Sequence, residues 1–162
     1  INHLALFFAR YPRFSYDTHA PVSAQYDALC RLYRFSGCKL KHGDAKSERD
    51  VAYTGYQRAM ALSFGASYGT DVNDLGSLQS LARVLEIDPI PQRVRACQEA
   101  IRAVHVNLVD LVDWGNSEGQ SPPPMIFKTL DDLQVYTKKT RKFFPQGRAE
   151  DTLLKFLLRH VL

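Results

Sequence analysis

The sequence predicts an all-α protein, a single-domain helical bundle of about six or seven helices around a central helix near 91–114. Three observations lead to this prediction. Apolar residues recur at spacings of three and four in almost every segment between the proline- and glycine-rich stretches. Alternation with a period of two, which strands require, does not extend over a useful length. A chain of 162 residues, 45% of them apolar, can also bury one core without disulfides.

The first third of the chain predicts two helices separated by an arm. Leu4, Phe7 and Phe8 indicate a short amphipathic helical turn or two. Residues 10–21 contain two prolines and three aromatic residues, which predicts an extended N-terminal arm that packs its rings onto the body. Between Val22 and Tyr33 the apolar residues then follow the helical period.

Capping residues mark the start of three further helices. Ser47 and Asp50 have the spacing of a capping box, and the helix they begin should end near Gly69. Asp74 and Thr129 are suited to cap two later helices, because short polar side chains can accept from free backbone N–H groups. A last amphipathic helix is predicted from five apolar residues: Leu153, Leu154, Leu157, Leu158 and Val161.

The predicted central helix has the most regular apolar pattern in the chain. Its stripe alternates spacings of three and four and comprises Val94, Cys97, Ile101, Val104, Leu108 and Leu111. We expect Ile101, Val104, Leu108 and Leu111 to be buried in the core. The segment 115–124 that follows is rich in proline and glycine and predicts a long loop.

A candidate polar cluster lies on this predicted helix and comprises His105, Asn107, Asp110 and Asp113. Asp110 and Asp113 are three residues apart and should share a helix face. Carboxylates in a last helical turn oppose the helix dipole, so donors or a ligand should compensate them. We interpret the pair as a structural tether that holds the loop 115–124, with ligand binding as the alternative.

A serine motif raises the possibility of hydrolysis. Ser67 lies between Gly65 and Gly69 in the G-x-S-x-G pattern of a nucleophile elbow. That chemistry requires a strand before the serine, whereas a helical stripe precedes it here. We therefore interpret this segment as a helix C-terminus, and a hydrolase that uses Ser67 or Asp110 and Asp113 is the second alternative function.

The C-terminal part of the chain combines basic and aromatic residues. Lysine and arginine beside rings that can stack are typical of surfaces that bind single-stranded nucleic acid. The net charge of +4 is mild, so it permits such a partner without requiring one. The candidate nucleic-acid-binding residues are Tyr136, Lys138, Lys139, Arg141, Lys142 and Arg148.

Several strings along the chain carry a family resemblance. They are YGTDVNDL from Tyr68, LEIDPIP from Leu85 and HVNLVDLVD from His105, with FFARYP from Phe7 and KFFP from Lys142. In these strings the sequence resembles a family of uncharacterised predicted proteins from filamentous and mushroom-forming fungi. The resemblance covers most of the chain and implies a fungal origin but no mechanism.

The leading prediction is a non-enzymatic interaction module that binds a protein or peptide partner. Nucleic-acid binding through the basic C-terminal helices is the alternative. The three cysteines have no regular spacing, which favours a reducing compartment and predicts an intracellular protein, cytoplasmic or nuclear. No cofactor and no metal site are predicted, since no C-x2-C pair occurs. The longest apolar run has six residues, Leu4 to Ala9, so no membrane partner is expected.

Overall fold

The computed structural model describes residues 2–35, 47–145 and 151–161. Within these ranges the chain forms eight α-helices and one short two-stranded sheet, which confirms the predicted all-α class with more helices than expected. In chain order they are α1 (His3–Phe8), α2 (Val22–Tyr33), α3 (Glu48–Tyr68), α4 (Leu75–Val84), α5 (Val94–Arg102), β1 (His105–Val106), α6 (Leu108–Asn116), β2 (Ile126–Phe127), α7 (Leu130–Thr140) and α8 (Thr152–Val161).

The three predicted caps are confirmed, and each acts within its own helical turn. Ser47 Oγ accepts from the Asp50 N–H while the Asp50 carboxylate accepts from Ser47, which completes the capping box of α3. Asp74 accepts from the Ser77 N–H at the start of α4. Thr129 accepts from the third residue of α7 in the same way. These bonds satisfy donors that a helix N-terminus otherwise leaves free.

The N-terminal arm packs its rings onto the body, as predicted. Tyr16 stacks on Phe8 with ring centroids 4.7 Å apart, and Phe14 stacks on Phe8 at 5.3 Å. Tyr11 contacts the ring of Phe7 in an edge-on arrangement at 5.6 Å. Offset and edge-on ring pairs add stabilisation beyond the apolar area they bury. The arm is therefore an integrated layer over α1.

The predicted continuous helix near 91–114 is wrong in one respect, because the chain leaves the helical path after Arg102. Residues His105 and Val106 form β1 and pair antiparallel with Phe127 and Ile126 of β2. Asn107 then caps a new helix, α6, by accepting from two backbone N–H groups at its start. The pairing with β2 satisfies backbone groups that a continuous helix would otherwise have satisfied within itself.

The core forms around α3, which packs against both α1 and α6. Ile101, Leu108 and Leu111 are buried as predicted, whereas Val104, at the break before β1, is only partly buried. Each of the eight helices contributes to the largest fully buried side chains. These are Phe8, Phe64, Leu4, Leu29, Met60, Leu78, Leu81, Ile101, Leu111, Leu133, Leu153 and Leu154.

Helix α7 lies at the periphery of this bundle. It packs mainly on β1 and β2, and Leu133 is its one buried residue. Val135 on the same helix is 65% exposed. Among the described residues, none of the helices has the length and apolarity that a membrane crossing requires.

Candidate functional site

The candidate polar cluster begins at Asn107, which links the start of α6 to the end of α7. Its side-chain oxygen accepts from the N–H groups of Val109 and Asp110 at 2.9 and 3.2 Å. Its amide nitrogen donates to Thr137 Oγ1 at 3.1 Å and to the Lys142 carbonyl at 2.9 Å. Asn107 is 4% exposed, and its bond to the Val109 N–H is buried while the other three are partly buried. The residue is a cap and a bridge, and not a residue of a helix interior as predicted.

Asp110 lies in the first turn of α6, and this corrects the expectation that its carboxylate opposes the helix dipole. A negative charge at a helix N-terminus is favourable. Lys142 Nζ lies 2.7 Å from Asp110 Oδ1, and the Tyr136 hydroxyl donates to Asp110 Oδ2 at 2.7 Å. Lys142 also donates to the Tyr136 hydroxyl oxygen at 3.2 Å and lies 5.6 Å from its ring centroid. The three side chains form a closed, partly buried triad.

The protonation of this triad favours a structural role. Burial alone would lower the pKa of Lys142, but its hydrogen bonds to Asp110 and Tyr136 outweigh that effect and raise the pKa. Burial, and then the hydrogen bond to Asp110, raise the pKa of Tyr136. Lys142 therefore stays an ammonium and Tyr136 stays a neutral donor near neutral pH. Neither group is activated as a base or a nucleophile.

Asp113 interacts with a different part of the molecule. Its Oδ1 accepts from the backbone N–H of Val22, the first residue of α2, at 3.0 Å. Pro21 precedes α2 and supplies no side-chain cap, so Asp113 caps that helix from α6. Burial raises the pKa of Asp113 to about 6, although the Val22 N–H and Lys142 act in the opposite direction. Asp113 is the most strongly perturbed carboxyl among the described residues.

The four residues of the candidate cluster therefore do not converge on one point. Asp110 holds the segment after α7, Asp113 holds α2, and His105 lies on β1 with its Nδ1 buried and without a partner among the described residues. Neither carboxylate has a hydrogen bond to the segment 115–124 among the described residues, where the tether interpretation placed them. The predicted loop 115–124 begins two residues later than expected, because Gly115 and Asn116 belong to α6. At its start the Ser117 hydroxyl bonds to the Trp114 carbonyl and to the Ser121 hydroxyl.

Ser67 occupies the last turn of α3, as the interpretation of its motif as a helix C-terminus requires. Its side chain is exposed and packs against Gly115, where an added Cβ would approach Ser67 Oγ to 2.5 Å. A nucleophile elbow needs a strand and a strained turn around the serine, and the residues here are helical. Among the described residues, no group of three His, Cys, Asp or Glu side chains could hold a metal ion.

The candidate nucleic-acid-binding residues divide into two groups. Lys138, Lys139 and Arg141 are exposed, and none of them pairs with a carboxylate within the described ranges. Tyr136 and Lys142 are instead engaged with Asp110 in the triad described above. Arg148 lies outside the described residues. Beside the exposed cations the ring of Phe143 is 56% exposed.

A further surface, which the sequence reading missed, is a groove between α1 and α3. We call it the α1–α3 groove; it has a volume of about 520 Å³ and is lined by His3, Leu6, Phe7, Arg10, Val51, Thr54, Gly55, Arg58, Ala59 and Leu62. Three of its apolar side chains are exposed: Leu6 by 60%, Val51 by 54% and Leu62 by 42%. The pattern of α3 could have indicated it, since Val51 and Leu62 lie outside the stripe of Tyr56, Met60 and Phe64 that forms the core.

The floor of the α1–α3 groove is formed where the two helices approach closely. A Cβ added at Gly55 would lie 3.1 Å from the ring of Phe7, so the absent side chain permits this contact. Ala59 is 5% exposed and extends the floor along α3. Arg10 and Arg58 are both exposed beside it. No family model, no curated protein and no solved structure matches this chain.

Proposed function

We propose that this chain is a non-enzymatic interaction module that binds a protein or peptide partner in the α1–α3 groove. The observation that carries the proposal is the exposure of Leu6, Val51 and Leu62 around a single concave surface. Single exposed apolar residues are normal, but several around one groove are typical of an interaction site. Burying these side chains against a partner would stabilise the complex by about 25 cal/mol for each Å² of apolar surface removed from water.

The state of the polar cluster supports the non-enzymatic part of the proposal. Asp110, Lys142 and Tyr136 satisfy one another, and Asp113 is occupied by the start of α2. These contacts join α6 to α2 and to the segment after α7, so they hold elements of the fold together. Cys30 and Cys97 form no disulfide within the described residues, outside which Cys38 lies, and this supports an intracellular location, cytoplasmic or nuclear.

Peptide selection tests the proposal. A fully random library of about 14-residue peptides is selected against the protein, and the Kd of each enriched peptide is measured by fluorescence anisotropy. Leu6→Asp and Leu62→Asp, which place a charge in the groove, should each weaken binding at least tenfold. Val135→Asp is the matched control, because Val135 on α7 is at least as exposed as Leu6 and Leu62 and lies outside the groove. Peptides whose binding is unaffected by both groove variants would contradict the proposal.

A second candidate function, nucleic-acid binding, is favoured by the exposed cations Lys138, Lys139 and Arg141 beside the exposed ring of Phe143. If they contact phosphates, log K should fall linearly with log salt concentration, with a slope of about −0.7 to −0.9 for each contact. Replacing all three cations by Ala should then reduce the slope by about two or more. Lys142 is left unchanged, because its loss would disturb the triad.

The matched control for this test removes the same amount of charge elsewhere. Arg83, Arg93 and Arg95 are exposed on and beside α4 and α5, and their triple Ala variant has the same net charge as the first. Labelled single- and double-stranded oligonucleotides are titrated at about 50 and 200 mM salt. Dissociation constants weaker than about 10⁻⁴ M at the lower salt, or equal effects of the two triple variants, would eliminate this candidate.

A further inference from the structure

We infer that the occupant of the α1–α3 groove is an acidic amphipathic helix of a partner protein. The inference rests on the proposed function, since it names the class of partner for that groove. It follows from the spacing of the residues that line the groove, from the charges among them and from its length.

The lining residues form the faces of two neighbouring helices, and a groove of this shape favours a helical occupant. On α1 they lie at positions 3, 6 and 7, with position 10 two residues after the end of this helix, and on α3 at positions 51, 54, 55, 58, 59 and 62. Both sets repeat at three and four residues, so each helix presents one continuous face to the groove. Two neighbouring helices with such faces form the usual seat for a third helix, which fills the groove with its own side chains at i, i+3, i+4 and i+7.

The length of the groove sets the size of that helix. From Val51 to Leu62 the axis of α3 rises roughly 16 Å at about 1.5 Å per residue. A partner helix of about three turns therefore covers the whole surface. The exposed side chains of Leu6, Val51 and Leu62 stand at its edges, while Phe7 and Ala59 close its floor. An apolar stripe about three turns long on the partner would cover all of them.

The charges along the groove indicate the polar residues of the partner. Its lining contains two guanidinium groups, Arg10 and Arg58, together with His3, and it contains no Asp or Glu. Neither guanidinium pairs with a carboxylate in the part of the chain that the structure describes. Arg58 lies one helical turn after Gly55 on α3. A guanidinium nitrogen of Arg10 would lie 3.7 Å from a Cβ added at Gly55. Carboxylates flanking the apolar stripe of the partner would meet these cations, and arginine is well suited to bind carboxylates.

A library of amphipathic helices tests the inference. Its 14-residue members keep Leu at positions i, i+3, i+4, i+7 and i+11, and the flanking positions vary among Glu, Gln and Lys. After selection against the protein, Glu should be enriched over Lys at the flanking positions. The enriched peptides should bind at least tenfold more tightly than versions with two central prolines, because proline breaks the helix.

Charge variants complete the test. Arg10→Ala with Arg58→Ala should weaken the enriched peptides about tenfold at 50 mM salt and less at 200 mM, since salt screens exposed charges. Arg83→Ala with Arg95→Ala should leave their Kd unchanged. All four arginines are exposed, so both double variants should fold normally.

Three results would overturn the inference: enrichment of Lys, equal binding of the proline versions, and equal effects of the two double variants. If the fully random library still yields peptides that Leu6→Asp and Leu62→Asp weaken, the groove remains a binding site and only the acidic helix is wrong. If Leu6→Asp and Leu62→Asp also have no effect on binding, both the inference and the proposed function are contradicted.

Discussion

The side-chain carboxylate of Asp113 accepts a hydrogen bond at 3.0 Å from the backbone N–H of Val22, a residue 91 positions earlier in the chain. Through this bond α6 caps the N-terminus of α2, which has no side-chain cap of its own. The cap is anchored to the core, because α6 packs directly on α3. A helix start is thereby stabilised from outside its own sequence.

The first prediction concerns the pH dependence of this cap. Burial raises the pKa of Asp113 from 3.8 to about 6, so the folded protein binds its proton more tightly than the unfolded chain does. The contribution of Asp113 to stability therefore falls as the pH rises from about 4 to about 6, and it stays low above that. Asp113→Asn keeps an acceptor oxygen and removes the charge. It should exceed the wild type in stability by about 1–3 kcal/mol at pH 7 and by much less at pH 4.

Urea unfolding of both proteins across pH 4 to 7.5 measures this difference. Asp113→Ala is the companion variant, because it removes the acceptor and leaves the Val22 N–H without a partner. It should be less stable than Asp113→Asn by about 1–3 kcal/mol. A stability difference between Asn variant and wild type that does not change with pH would contradict the raised pKa.

The second prediction concerns the ion pair of Lys142 with Asp110. The two side chains are 20% and 12% exposed, so their attraction is only partly screened. Lys142→Met should lower the free energy of unfolding by about 2 kcal/mol, because it leaves a largely buried carboxylate without its cation. A double-mutant cycle with Asp110→Asn should give a coupling energy of about 1–2 kcal/mol.

The control for this cycle is the surface pair Arg95 and Glu99, whose side chains are 91% and 69% exposed. Its coupling energy should be near zero, since solvent screens exposed pairs. Equal coupling in the two cycles would show that the triad of Asp110, Tyr136 and Lys142 has no special role in holding the segment after α7.

The third prediction concerns Asn107. Asn107→Ala removes the cap of α6 together with the two bonds to Thr137 and the Lys142 carbonyl. Because the site is buried, we expect the free energy of unfolding to fall by about 2 kcal/mol or more. Thr137→Val removes one of these bonds and should have a clearly smaller effect. Similar losses in the two variants, measured by urea unfolding, would show that the cap itself contributes little.

The fourth prediction concerns the core under α6. Leu108 is 4% exposed, and Leu108→Ala should cost about 2–5 kcal/mol because the cavity it leaves closes only partly. Leu62→Ala is the control, since Leu62 is 42% exposed in the α1–α3 groove and its truncation should cost under about 1 kcal/mol. A loss below 1 kcal/mol for Leu108→Ala would place α6 at the periphery. Thermal and urea unfolding of the two variants make the comparison.

Features that depend on neighbouring residues could be predicted from the sequence. The caps by Ser47, Asp74 and Thr129 each bind an N–H three residues further on, so spacing alone reveals them. The helical period likewise identified the buried residues Ile101, Leu108 and Leu111, because the residues of one helix face recur every three or four positions. Cap chemistry and periodicity are local, and the sequence by itself therefore determined the all-α class.

The tertiary structure alone decided what the polar residues do. The apolar period continues through His105. Residues His105 and Val106 nevertheless form a strand, because they pair with Phe127 and Ile126, about 20 residues later in the chain. Asp110 and Asp113 look alike in sequence, yet one binds Lys142 and the other caps α2, because their partners come from distant segments that only folding brings near. The α1–α3 groove also exists only where two helices meet at Gly55. Contacts between distant segments leave no spacing in the sequence, so local physical chemistry cannot predict them.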